Sequence, residues 1–139
     1  MSVSTNVPLL EVRDLSVVFH SASDKVYALQ DIHFTLNQGG ILGIVGETGS
    51  GKSVLAQSIL NLTSPGVIES GSIRYKGEDI LTMPPARQRN MRGKDISLIF
   101  PDPATCFDPL FTIGDQIVET IQTHEKVGKR EAKEKAVHL

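Results

Sequence analysis

The residues best suited to chemistry form one run of eight, Gly46-Glu47-Thr48-Gly49-Ser50-Gly51-Lys52-Ser53. The run satisfies G-x-x-x-x-G-K-[ST], the Walker A or phosphate-loop pattern. Glycine at 46, 49 and 51 permits left-handed backbone angles and brings main-chain N–H groups close to an anion with no Cβ in the way. Successive N–H groups at the start of a helix form a nest for phosphate, and the helix dipole favours the same charge. Lys52 adds a point charge for β- and γ-phosphates, and Ser53 offers its hydroxyl to Mg2+. All eight positions, Gly46, Glu47, Thr48, Gly49, Ser50, Gly51, Lys52 and Ser53, are therefore candidate nucleotide contacts, with Ser53 the metal ligand.

Such a loop has to leave a strand and open a helix. Before it stands Ile41-Leu42-Gly43-Ile44-Val45, an almost unbroken apolar run that predicts a strand buried on both faces of a parallel sheet. After it, residues 52–62 place Val54, Leu55, Ile59 and Leu62 on one helical stripe. Upstream, residues 9–20 predict one or two short strands interrupted at Arg13-Asp14. Residues 26–29 and 32–36 also read as strands, with Ile32, Phe34 and Leu36 alternating against His33 and Thr35. Asn37-Gln38-Gly39-Gly40 reads as a turn. Downstream, the pattern predicts a strand at 71–76, a turn at Gly77-Glu78-Asp79 and a short helix at 86–92 started by Pro84-Pro85. A second buried-type strand follows at 96–100, then helices at 115–123 and 129–139. The last helix carries Ala132, Ala136 and Leu139 as its apolar face, and its pattern runs to Leu139 without a stop signal, as in a truncated chain.

Composition narrows the classes. The chain has 139 residues, 40% hydrophobic and 22% charged, which suits one globular domain. A net charge of −2 gives no pull toward nucleic acid. The apolar runs are far shorter than the roughly 20 residues a membrane helix needs, and residues 1–8 carry no leader pattern. The single cysteine, Cys106, permits no internal disulfide and suits a reducing compartment; with no basic partner nearby in sequence it does not read as a nucleophile. The histidines at 20, 33, 124 and 138 are not spaced as metal ligands and read as ordinary polar residues.

The run from Ile41 to Ser53 resembles the Walker A region of ABC importer ATPases that energise uptake of di- and oligopeptides or nickel. A second stretch is similar to the same subfamily, which reads I-F-Q-D-P-x-T-S-L-N-P and then T-I-G-x-Q-I. Here the residues are Ile99-Phe100-Pro101-Asp102-Pro103-Ala104-Thr105-Cys106-Phe107-Asp108-Pro109, then Thr112-Ile113-Gly114-Asp115-Gln116-Ile117. Ser70-Gly71-Ser72-Ile73 and Gly77-Glu78-Asp79-Ile80-Leu81 also look like stretches of that subfamily. The resemblance spans residues 9–139. It implies an α/β P-loop NTPase fold, a RecA-like core with an N-terminal antiparallel β subdomain. Residues of about 9–100 would supply the β subdomain and P-loop core, and about 101–139 the Q-loop region and the start of a helical subdomain.

The resemblance also implies ATP and Mg2+ as cofactors, and Phe19 as the aromatic platform that stacks on adenine, with Tyr27 as a substitute. It implies ABC permease subunits and a second ATP-binding subunit as partners, and a peripheral place on the cytoplasmic face of the inner membrane. The pattern is departed from at two places. Pro101 stands where the family has the Q-loop glutamine, which reaches Mg2+ and the attacking water; proline has no side-chain donor or acceptor and no N–H. Gly40 replaces a glutamate. No LSGGQ-like signature, Walker B pair or switch histidine follows within the 139 residues, so the catalytic set is incomplete and the bare chain is expected to be inactive. A remnant that binds nucleotide weakly or not at all is the alternative reading. Asp102, ending the apolar run at 98–100, could also be a Walker B carboxylate of a small kinase or GTPase, but Pro101 interrupts that strand end and no guanine motif N-K-x-D is present.

Overall fold

The computed structural model describes residues 7–102 and 106–139. Residues 103–105 of the second motif and residues 1–6 lie outside them. The chain divides into two compact units, Met1–Arg89 and Asn90–Leu139.

The first unit is built on an antiparallel sheet. Strands β1 (Leu10–His20), β2 (Lys25–Leu36), β3 (Val67–Tyr75) and β4 (Glu78–Asp79) lie in the order β2-β1-β3-β4. The segments at 26–29 and 32–36 are thus one continuous strand, and Gly77 turns the chain into β4 rather than away from the sheet. Alternation works as expected in outline: Ile32, Phe34 and Leu36 are half-buried and Asp31, His33 and Thr35 are exposed. Leu15, Val17, Val12 and Ile73 are fully buried and form the core with Ile80 and Leu55. At the end of β2, Gly40 N–H donates to the Asn37 carbonyl at 3.0 Å and closes the expected turn. Side-chain ties add to the sheet. Lys25 pairs with Glu69, which raises the lysine pKa and holds the carboxyl below its usual range.

Helix α1 (Lys52–Ile59) is shorter than its apolar stripe predicts. Leu60 and Asn61 N–H groups close the end on the Gln57 and Ser58 carbonyls, and Asn61 takes a left-handed φ of 52°. Leu62 therefore leaves the stripe and is 41% exposed. The buried face is Leu55 and Ser58, the serine hydroxyl donating to the Val54 carbonyl at 2.7 Å. Helix α2 (Pro85–Met91) begins at Pro85, whose missing N–H costs nothing in a first turn.

Two expected strands are not formed. Residues 41–45 and 97–100 carry no ladder, and Ile96 makes only an isolated bridge with Arg92. A strand exists by the hydrogen bonds of a neighbour, and among the described residues none lies beside either run. Several of their side chains stay in water: Ile41 is 99% exposed, Val45 95% and Ile99 92%. Burying an aliphatic side chain of this size stabilises by about 1.5–3 kcal/mol, so both runs retain a strong drive toward a partner sheet.

In the second unit, helix α3 (Ile113–His124) is capped by Thr112, whose hydroxyl accepts from Asp115 N–H at 3.1 Å and donates to the Asp115 carboxylate at 2.7 Å. Gln116 reaches back, its Nε2 donating to the carbonyls of Asp108 (3.0 Å) and Phe111 (3.2 Å) while its Oε1 accepts from Asp108 N–H (3.0 Å). The D-P and T-I-G-x-Q-I segments read in the sequence are thus one hydrogen-bonded corner. Helix α4 (Lys129–Val137) packs on α3 through buried Ala132 and Val118; Leu139 lies past its end and is exposed, so it is not part of that face.

One glycine is demanded by the sheet. Gly71 has φ +97°, and a Cβ there would lie 2.5–2.6 Å from the Arg13 and Asp14 carbonyl oxygens and the Leu15 Cα. Gly71→Ala is expected to lower the urea midpoint, costing about 1–3 kcal/mol from backbone strain alone; an unchanged midpoint would contradict this crossing of β1 and β3.

Candidate functional site

The loop 46–53 begins where the chain leaves the unpaired run 41–45 and ends in the first turn of α1. Gly51 is the residue that lets it do so. It caps α1 with φ 92° and ψ 0°, and a Cβ would meet the Ala28 carbonyl oxygen at 2.5 Å and the Leu29 side chain at 2.9 Å. The loop is therefore seated directly on β2, and any larger residue would lift it off. Gly49 also takes a left-handed φ, +84°.

Lys52 organises what lies between. Its Nζ donates to the carbonyl oxygens of Gly46 (2.7 Å) and Glu47 (2.6 Å) and to Ser50 Oγ (3.2 Å). Ser50 N–H donates to the Glu47 carbonyl at 3.2 Å, which closes the turn on itself. An ammonium group thus sits inside a ring of loop oxygens. The first turn of α1 has no side-chain cap, so its N–H groups stay open to an anion. No acidic residue stands in that turn to oppose one. Ser53 is exposed beside Lys52. A nucleotide with Mg2+ fits this donor set: open amides and an ammonium for phosphate oxygens, a free hydroxyl for the metal.

The sequence match decides the family. Residues 29–138, most of the chain, match the ABC transporter family. The chain belongs to the ABC transporter family. Among relatives of this ABC chain, the oligopeptide transport ATP-binding protein OppD of Bacillus subtilis is 42% identical over 133 residues, which is 94% of this chain and 37% of that protein. A putative peptide import ATP-binding protein of Brucella abortus is 44% identical over 95% of this chain and 40% of its own length. The ABC chain thus spans well under half of these curated relatives. By shape it resembles the ATP-binding cassette MJ0796, solved as a dimer in a post-hydrolysis state with ADP and Pi; the TM-score is 0.73 at 14% identity, covering 93% of this chain and 54% of that one. The fold is that of an ABC ATPase cassette, α/β with an antiparallel sheet. No helix among the described residues is long and apolar enough to cross a membrane.

Other sequence candidates fall as follows. Phe19 lies near the end of β1, paired with Val26, and its ring rests on Gly66: a Cβ there would meet ring carbons at 2.8 and 3.0 Å. The ring is half-buried, so one part packs and another faces solvent. Tyr27 is exposed, with the Lys25 ammonium 4.7 Å from its ring centre. Pro101 is exposed in a bend. Cys106 is a free, exposed thiol that donates to the Asp102 carbonyl at 3.6 Å. A Cβ at Gly40 would press on the Asn37 carbonyl oxygen at 3.0 Å and Leu36 at 3.2 Å, so the family's glutamate needs this turn to relax.

His33 stands beside two aspartates. Read from spacing as an ordinary polar residue, it stands with Asp14 and Asp31 in a group whose ligand atoms all lie within 4.8 Å of one another. The only sequence signal was that Arg13-Asp14 interrupts a strand pattern.

Proposed function

We propose that this chain forms the nucleotide-binding part of an ATP-binding subunit that energises import of peptides, or of nickel, through ATP binding and hydrolysis. The observation that carries the reading is Lys52 Nζ held among the Gly46, Glu47 and Ser50 oxygens at the open end of α1. Gly46, Glu47, Thr48, Gly49, Ser50 and Gly51 furnish the backbone cradle, Lys52 the charge, and Ser53 the hydroxyl for Mg2+. The metal, when bound, neutralises charge between the β- and γ-phosphates. Phe19 serves as the adenine platform through the part of its ring not covered by Gly66. Residues 9–100 act as the nucleotide-binding portion and 101–139 as the start of the helical portion. Permease subunits and a second ATP-binding subunit are the partners, on the cytoplasmic face of the membrane. The family assignment and the names of the relatives support this reading.

Pro101 favours the second reading, a non-catalytic remnant of such a subunit that binds nucleotide weakly or not at all, because its side chain can neither accept nor donate a hydrogen bond. The first reading requires phosphate recognition. In a competition titration against a fluorescent ATP analogue with Mg2+, ATP is expected to displace the probe at least tenfold more effectively than AMP, which lacks the groups Lys52 meets. Equal displacement by AMP would sink the assignment.

A further inference from the structure

We propose that Asp14, Asp31 and His33 form a binding site for a divalent cation of the zinc class, on the solvent face of the β1–β2 pair. The placement follows from two opposed irregularities. Register runs Val12↔Phe34, then Leu15↔Ile32, so Arg13 and Asp14 together oppose His33. It then runs Leu15↔Ile32 to Val17↔Leu29, so Gln30 and Asp31 together oppose Ser16. The extra residue lies on β1 before the Leu15–Ile32 pair and on β2 after it; a further irregularity on β2 follows at Val17/Val18. Bulges of this kind re-aim side chains. Leu15 is fully buried and Ile32 half-buried, so their flanking residues Asp14, Asp31 and His33 turn outward together, and all three are exposed.

The backbone is fixed around them. Asp14 and Asp31 both adopt left-handed φ, 49° and 52°, a conformation that costs free energy in a residue with a Cβ. Ser70 Oγ donates to the Asp14 carbonyl at 3.2 Å, and Gly71 packs against the same bulge. Asp31 N–H donates to Ser16 Oγ at 3.1 Å. Among the described residues, none of the three side chains has a hydrogen-bond or ion-pair partner of its own.

The donor chemistry selects the ion. Two carboxylates and an imidazole are zinc-type ligands, whereas Mg2+ and Ca2+ take oxygen and leave imidazole aside. With bond lengths of about 2.1 Å, two ligand atoms on one tetrahedral ion stand roughly 3.4 Å apart. The group lies within 4.8 Å, so small side-chain rotations close it. Three protein ligands leave a position for water, and the two carboxylates supply the charge balance. An ion there would clip the bulges of β1 and β2 together.

The test is a calorimetric titration of Zn2+ into the 139-residue chain without nucleotide. One saturable ion is expected, undisturbed by tenfold excess Mg2+. Asp14→Asn, Asp31→Asn and His33→Gln should each weaken it at least tenfold; asparagine tolerates the left-handed angle of the two aspartates. His124→Gln and Cys106→Ser should leave it unchanged. Absence of saturable Zn2+, displacement by Mg2+, or loss with the control variants instead would each overturn the proposal. Should a variant misfold, the native chain decides: Zn2+ is expected to protect His33, and not His20, His124 or His138, from carbethoxylation read by peptide mapping. Equal labelling of His33 with and without Zn2+ would refute the site.

Discussion

Replacing Lys52 with alanine is expected to abolish measurable nucleotide binding. The ammonium already lies among three loop oxygens at 2.6 to 3.2 Å, so it is positioned before any ligand arrives. Binding trades neutral acceptors for phosphate oxygens, which carry full charge and make stronger hydrogen bonds. Truncating one partner of a close charge pair typically costs about 2–5 kcal/mol, a loss of roughly thirtyfold to several thousandfold in affinity. The variant also deprives the Gly46 and Glu47 carbonyls of their donor, so the loop loses internal struts as well as charge. Lys52→Met separates the two effects from simple truncation, because it fills similar space without charge. Both variants are expected to fail in a fluorescent-nucleotide titration while retaining the circular dichroism of the native chain. Undiminished affinity in either would show that the phosphate site lies elsewhere.

The second large effect concerns turnover. We expect a polypeptide of these 139 residues to release no phosphate from ATP, and Pro101→Gln alone to leave it inactive. Phosphoryl transfer rests on positioning and charge stabilisation shared among the P-loop, Mg2+, its carboxylate ligand and a group that orients water. Groups that act as a unit are strongly non-additive, so restoring one while others are absent returns little. The expectation changes in a chimera in which this chain replaces the corresponding part of a peptide-import relative. There the remaining groups come from the relative, and Pro101→Gln should raise phosphate release about tenfold or more, the usual scale for a lost supporting group around a metal. Turnover by the bare chain would contradict the first half of this expectation. No gain in the chimera would contradict the second and favour packing, rather than chemistry, at position 101.

The parts of the fold that could be read from sequence are those closed by short-range bonds. The phosphate loop is one, because Lys52 bonds only to residues within six positions. The Thr112 cap of α3 and the Pro85 start of α2 are others. What could not be read depends on partners far along the chain. The apolar runs at 41–45 and 96–100 have strand composition, but a ladder needs a neighbour that residue types do not reveal. Leu62 kept the helical period while the backbone had already turned at Asn61. The group of Asp14, Asp31 and His33 exists only because register slips on both sides of the Leu15–Ile32 pair, and a one-residue slip leaves no mark in composition. Phe19 stands as an adenine platform by resemblance alone, and residue type does not reveal that Gly66 lies against its ring.

The most direct test of the central claim maps the amide resonances of the isotopically labelled chain as Mg–ATP is added. The largest shifts are expected on residues 46–54, with smaller ones near Phe19, and they should vanish in Lys52→Ala. Shifts centred outside the loop, or unaltered by that substitution, would contradict it.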